Sequence, residues 1–321
     1  MNEKYQSLFT HEEIRKNKIK TFILLSLFIV IILILSAAIG YYINDINQGL
    51  FIGAVATAIV VPINILSSKL VILSSTKGKP INTDNPSHMR LKNLVEGLAI
   101  SAGIDRTPDI YILPTKIPNA FAGGFSPKSA YIGVTQGLLD MMNDSELEGV
   151  IAHEMSHIAQ YDVLISTVAV SLFSVAVVLS DMLYRLIRFD GLNKSSSKSK
   201  SSNNGKSSGD IIFIIVIVAV IFSWFARLIG NLINLAISRK REYSADANAV
   251  RLCGYSQGLV SALSKLSNLS NHNNYSSKDL AELGGNNLMG LYIFNPTKSI
   301  TNLFSTHPPI EDRISKLEAM Y

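Results

Sequence analysis

Asn143–Asp162 reads NDSELEGVIAHEMSHIAQYD, and within it His153-Glu154-Met155-Ser156-His157 sets two histidines one helical turn apart. Residues at i and i+4 share a helix face, so both imidazoles can point at one metal ion. Glu154 then lies beside the water that such a metal activates. Zinc in that position makes hydroxide available near neutral pH. Asp144 or Ser145 is expected to cap the helix, with Glu146 and Glu148 favourable in its first turn. The helix runs almost directly into an apolar segment, Val163–Ser180. That continuity puts the chemistry close to a membrane surface.

Outward from this helix, four apolar stretches account for a composition that is 48% hydrophobic and only 17% charged over 321 residues. Thr21–Ile43 is uncharged over 23 positions, enough for a helix to cross a bilayer core. Phe51–Ser68 is similar but carries Pro62 and Asn64. Val163–Ser180 has scattered serines, and Ile211–Ala226 is nearly all Ile, Val and Phe. The first stretch is too long for the apolar core of a cleaved signal peptide and has no clear small-residue cleavage site, so it reads as an anchor.

The formal net charge is +5, and basic residues flank the spans. Arg15, Lys16, Lys18 and Lys20 precede the first, and Lys69, Lys77 and Lys79 follow the second, so both flanks read as cytoplasmic. No dense basic patch interleaved with aromatics points to a nucleic-acid partner. The loop at 190–209, DGLNKSSSKSKSSNNGKSSG, has no composition for a core. Its lysines disfavour an outside location. Two readings stand: the last two segments cross despite the loop, or they form a hairpin that does not fully cross. The single cysteine, Cys253, excludes a disulfide framework and a thiolate zinc cluster.

The organisation that follows is a polar segment at 1–20, a transmembrane hairpin at 21–68, and a first catalytic part at 69–160. The third and fourth apolar segments occupy 161–228, and a second catalytic part occupies 229–321. Residues 69–90 read as a linker in which Lys-Gly-Lys-Pro and Asn-Pro break any helix. A helix is expected over MRLKNLVEGLAISAG, strands over Asp109–Leu113 and Ala130–Val134, and further helices over 227–250, 254–270 and the tail after His307-Pro-Pro.

A zinc site built on two histidines takes a third protein ligand and keeps a fourth position open. The candidate is Glu242 in Arg239-Lys-Arg-Glu-Tyr-Ser-Ala-Asp246. Asp246 shares its helix face and is placed to accept a hydrogen bond from the free nitrogen of His153 or His157. Glu154 is the general base, and His307 is the candidate oxyanion donor, against a plain helix-start role ahead of Pro308. Arg313 either pairs with a buried carboxylate or helps bind substrate. Asn119–Gly124, including Asn119, Ala120 and Phe121, is either a substrate edge for an added strand or a structural turn.

Four elements in order carry a resemblance: Asn119-Ala-Phe-Ala122, Glu148–His157, Arg241-Glu-Tyr-Ser-Ala-Asp246 and Ser305-Thr-His-Pro-Pro309. The chain resembles the membrane-embedded HtpX-type zinc metalloproteases, gluzincins related to the prenyl-protein endopeptidases. The resemblance implies a multi-pass alpha-helical membrane protein with a mainly alpha, alpha+beta zincin-like metalloprotease domain. It also implies one Zn2+ per subunit on His153, His157 and Glu242, with Glu154 catalytic, His307 assisting the transition state and Asp246 behind a ligand. Polypeptide substrates, membrane proteins among them, would be cut at a cytoplasmic-facing site in the plasma membrane in a quality-control role. A metal-containing membrane scaffold or chaperone-like binder is the alternative, against which an intact Glu154 argues. A transporter reading ranks last, since Pro62 and Asn64 are its only support.

Overall fold

A computed structural model describes residues 3–42, 44–172, 239–272, 282–284, 292–293 and 308–320. The fourth apolar segment, the 190–209 loop, residues 173–180 of the third segment, residues 227–238 and His307 lie outside the described residues.

Two helices open the chain, α1 (Glu3–Tyr42) and α2 (Ile46–Ser75). Both are longer than the sequence reading. The polar head is already helical, and the turn between them shrinks because Asp45 caps α2 by accepting from the Gln48 N–H at 2.9 Å. Glu12–Ala38 and Ile46–Ser75 are long and apolar enough to cross a membrane, and only 17% and 22% of their most apolar windows are buried. A core helix of a soluble protein would be mostly covered. Here Phe22, Ile34, Phe51, Ile63 and Leu66 stand exposed, an apolar surface of the kind lipid covers.

The described residues fall into two compact units. One takes those within Met1–Phe22, Ser67–Val170 and Ile233–Tyr321, the other those within Ile23–Leu66 and Ser171–Leu232. The first carries the remaining elements in chain order: β1 (Lys79–Pro80), α3 (Pro86–Ser101), β2 (Asp109–Leu113), β3 (Ala120–Gly123), β4 (Tyr131–Thr135), α4 (Gln136–Met141) and α5 (Asp144–Ala159). The apolar helix α6 (Asp162–Leu172) starts there, and α7 (Arg239–Cys253), α8 (Gln257–His272) and α9 (Ile310–Glu318) follow. The expected linker is shorter than read. Helix α2 runs on to Ser75, and Asn85-Pro86 starts a helix rather than breaking one. Asn85 accepts from the Ser87 N–H at 3.0 Å, and Pro86 needs no donor in the first turn.

The sheet has the order β1-β2-β4-β3, with β2 and β4 parallel and the outer pairs antiparallel. Side chains alternate between its faces. Ile110, Ile112, Ala122, Ile132 and Val134 join the main core under α5. Phe121, Tyr131 and Leu113 pack on the other side with Ile72 and Tyr292. Burial on both faces explains why these strands read as continuous apolar runs. The stretch left open between turn and edge is the last strand of the sheet, β3, paired to β4 with Phe121 opposite Gly133 and bridged on its outer side by Tyr292 at Phe121.

Helix α5 sits at the centre, against α3, β3, α7 and α8. Its close approach to α8 depends on glycine. A Cβ on Gly149 would lie 2.6 Å from the Leu259 nitrogen, and one on Gly258 would meet the Ser145 carbonyl. The cap is Asn143, ahead of both expected residues, Asp144 and Ser145. Its side chain accepts from the Glu146 N–H at 2.9 Å while Glu146 accepts from the Asn143 N–H at 2.9 Å, a reciprocal box.

Glu146 also ties α5 to α8, accepting from Ser261 Oγ at 2.6 Å and Lys265 Nζ at 2.7 Å. Burial works against its charge, but Lys265, Ser261 and the Asn143 N–H outweigh it and hold the carboxyl below its ordinary value of 4.5. A lowered folded pKa contributes stability that is present above the unfolded value and lost as pH falls through the folded one. Glu146→Gln should therefore cost about 1–2 kcal/mol at pH 7. Its melting temperature should converge on that of wild type in scans below the usual carboxylate range. A deficit that persists at low pH would mean that the charge is not the cause.

Candidate metal centre

The site begins with the spacing on α5. His153 and His157 face the same side, and α7 crosses to bring Glu242 opposite them. His153 Nε2 and His157 Nε2 are 3.1 Å apart, and each lies 3.6 Å from a Glu242 carboxylate oxygen. All three ligand atoms fall within 4.8 Å of one another. His153 and Glu242 are buried, His157 half-buried. Tetrahedral bonds of about 2.0–2.1 Å would set ligand atoms roughly 3.3 Å apart, so the donor set matches zinc in both spacing and type.

The far side of each imidazole decides what its near side can do. His153 Nδ1 lies 2.9 Å from Asp246 Oδ1, and His157 Nδ1 lies 3.0 Å from Asp162 Oδ2. A carboxylate only accepts, so each Nδ1 carries the hydrogen and each Nε2 turns its lone pair into the site. Two lone pairs at 3.1 Å beside a carboxylate need a cation between them. In the metal-free protein a proton serves. Burial opposes charge on His153, but hydrogen bonds to Asp246 and Glu242 prevail and push its pKa up to about 9. Metal binding must then release that proton.

Asp246 is pinned in turn. Arg313 from α9 donates from Nε to Oδ2 at 2.9 Å and from Nη2 to Oδ1 at 2.7 Å, a forked pair. Burial raises the Asp246 pKa, yet the charge of Arg313 and the hydrogen bonds from His153 and Arg313 bring it down to about 2. Arg313 is fully buried and also reaches to 3.9 Å from Glu242. Glu154 is buried in the same turn of α5 as the ligands, at 2% exposure.

A turn joins this helix to the next. Gln160 caps α5, and Tyr161 takes φ 60°, a left-handed value that costs a bulky residue about 1–2 kcal/mol. The turn brings Asp162, the first residue of α6, back beside His157. Arg241 Nε lies 3.3 Å from the other Asp162 oxygen.

Residues 86–321 match Peptidase family M48. The chain belongs to peptidase family M48. Similar proteins in this family are named Protease HtpX homolog. One from Listeria monocytogenes serotype 4b (strain CLIP80459) is 41% identical, over 96% of this chain and 99% of its own length. One from Dictyoglomus thermophilum is 38% identical, over 97% and 94%. One from Lactobacillus helveticus (strain DPC 4571) is 37% identical, over 97% and 99%. Among solved structures, the crystal structure of S. mikatae Ste24p is similar at 19% identity and a TM-score of 0.46. The match covers 95% of this chain and 66% of that one.

In this M48 peptidase the fold brings together His153, His157, Glu242, Asp246, Glu154 and Arg313. Asp246 serves His153, of the two histidines its spacing allowed. Asn119 is buried and accepts from the Thr135 N–H at 3.0 Å. Ala120 and Phe121 are buried in β3, where the Ala120 carbonyl accepts from Ile293 N–H at 3.0 Å. Asp162 was missed, although it lies five positions past His157 in the motif-bearing stretch. The signal available was a carboxylate just beyond a ligand helix, where a histidine needs a partner for its second nitrogen.

Proposed function

We propose that this M48 peptidase is a zinc-dependent endopeptidase of the cell membrane. In this reading it is multi-pass, faces the cytoplasm with its site, and cuts misfolded or damaged membrane proteins. The observation that carries the chemistry is the convergence of two imidazole lone pairs and a carboxylate, each imidazole backed by its own carboxylate. His153, His157 and Glu242 would hold one zinc ion. Zinc bound there supplies a Lewis acid and lowers the pKa of a water.

The chain's own groups do the rest. Asp246 and Asp162 fix the tautomers of the two imidazoles. Arg313 balances the charge on Asp246 and Glu242. Glu154 takes the proton of the attacking water and delivers it to the leaving amine. His307 is assigned to the developing oxyanion. Asn119, Ala120 and Phe121 of the β3 stretch are assigned to the wall of the substrate site rather than to an open edge, since Tyr292 already bridges Phe121 on the outer side of β3. Residues 69–160 and 229–321 supply the catalytic parts, and the apolar segments 21–68 and 161–228 place them at the bilayer. The exposed apolar faces of α1 and α2 and the basic flanks support that placement.

The test is metal removal. Protein purified in detergent under chelation should not cleave an unfolded polypeptide, and activity should return as about one zinc per chain is restored. Cleavage that continues in protein shown to be metal-free overturns the reading. Zinc binding without turnover on any of several substrates would favour a scaffold instead.

A further inference from the structure

The geometry points to Asn17, in the head of α1, as a positioning residue for the metal ligand His157. It acts by fixing the turn that presents Asp162 to that imidazole. The inference rests on the zinc-peptidase reading above and extends the site to an element assigned so far only to the membrane.

Asp162 orients His157 only if its carboxylate is itself aimed, and it follows a turn with Tyr161 in a left-handed conformation. Such a turn needs holding from outside. Asn17 and Lys18 grip it. Asn17 Nδ2 donates to Asp162 Oδ1 at 2.7 Å and to the Gln160 carbonyl at 3.2 Å. Lys18 Nζ sits 4.6 Å from the centre of the Tyr161 ring, within cation–π range. Two adjacent residues of α1 therefore engage all three residues of the turn, Gln160, Tyr161 and Asp162. Arg241 approaches the same Asp162 oxygen from α7. The other Asp162 oxygen stays with His157.

Asn17 is 1% exposed, and its Oδ1 has no hydrogen-bond partner among the described residues. A buried amide with an idle acceptor is a net cost to folding unless its donors do something. Flipping the amide would set that oxygen against a carboxylate, so the donor end belongs on Asp162. Leucine keeps the branched shape of asparagine and removes the idle acceptor together with both bonded donor contacts. Asn17→Leu strips a buried donor from the Asp162 carboxylate and the Gln160 carbonyl, so its metal-free form should melt lower on either view, and a merely structural Asn17 predicts wild-type zinc binding in the folded variant. A positioning Asn17 predicts weaker zinc binding in a protein that still folds.

The experiment is zinc affinity by chelator competition on the full-length detergent-solubilised chain, with the melting temperature of the metal-free form measured beside it. Asn17→Leu should weaken zinc about tenfold, at the lower end of what partners of ligand histidines contribute. Its metal-free melting temperature should fall modestly, because two buried acceptors lose their donor, so the zinc affinity of the folded variant is the deciding readout. In an Asp162→Asn background the same substitution should add almost nothing, since both changes act through one carboxylate. If the leucine variant is not recovered folded, Asn17→Ala is read in the same way. Wild-type zinc affinity in the variant overturns the inference, as does an equal loss in the Asp162→Asn background. A wild-type chain that binds no zinc overturns the peptidase reading itself, a result distinct from either.

Discussion

Glu154→Gln should lower kcat for peptide cleavage about a thousandfold, within the 10²–10⁴ range for loss of a general base, and leave zinc content unchanged. The amide keeps the shape of the carboxylate but cannot take a proton at neutral pH. The donors that would hold zinc are on His153, His157 and Glu242, whose ligand atoms converge without Glu154. The substitution therefore separates chemistry from metal binding. His157→Ala would remove both at once. The measurement is steady-state cleavage of an unfolded polypeptide, with bound zinc determined on the same samples. Wild-type turnover in the glutamine variant would remove Glu154 from the mechanism. Loss of zinc together with activity would mean that the carboxylate supports the metal rather than the water.

Much of this centre was legible because it is local. Four-residue spacings put His153 above His157 and Glu242 above Asp246, and helix periodicity alone fixes which faces they share. The strands at 109–113 and near 131–135 were legible from their apolar runs. What escaped reading depends on contacts between distant positions. Asp162 partners His157 only because Tyr161 turns the chain back. Asn17 meets Asp162 from 145 positions away, and no periodicity reports such a pairing. The choice between His153 and His157 for Asp246 followed from how α7 crosses α5. Gly149 and Gly258 likewise let α8 approach α5 closely, a contact that no periodicity reports. The extra length of α1 and α2 was hidden by their polar ends. Lys69, read as a membrane-flanking charge, lies inside α2 and pairs with Asp109 at 2.7 Å.

Arg313 gives the second large effect, and its burial decides between the two roles the sequence left open. A side chain at 0% exposure, forked onto Asp246, is placed to hold that carboxylate rather than to meet substrate. Arg313→Met removes the cation and leaves Asp246 buried beside Glu242 without its counter-charge. Breaking a buried pair from one side typically costs about 3–5 kcal/mol. Much of that should appear as a lower melting temperature. With Asp246 no longer pinned, His153 loses its orientation, and zinc affinity should fall about 10–100-fold. Arg313→Lys keeps the charge but not the fork, and should fall between wild type and methionine. Adding Asp246→Asn to Arg313→Met removes the stranded charge and should recover part of the melting temperature without restoring zinc affinity. At saturating zinc, KM for a peptide should stay near wild type while kcat drops. A selective rise in KM, with melting temperature and zinc affinity untouched, would return Arg313 to the substrate.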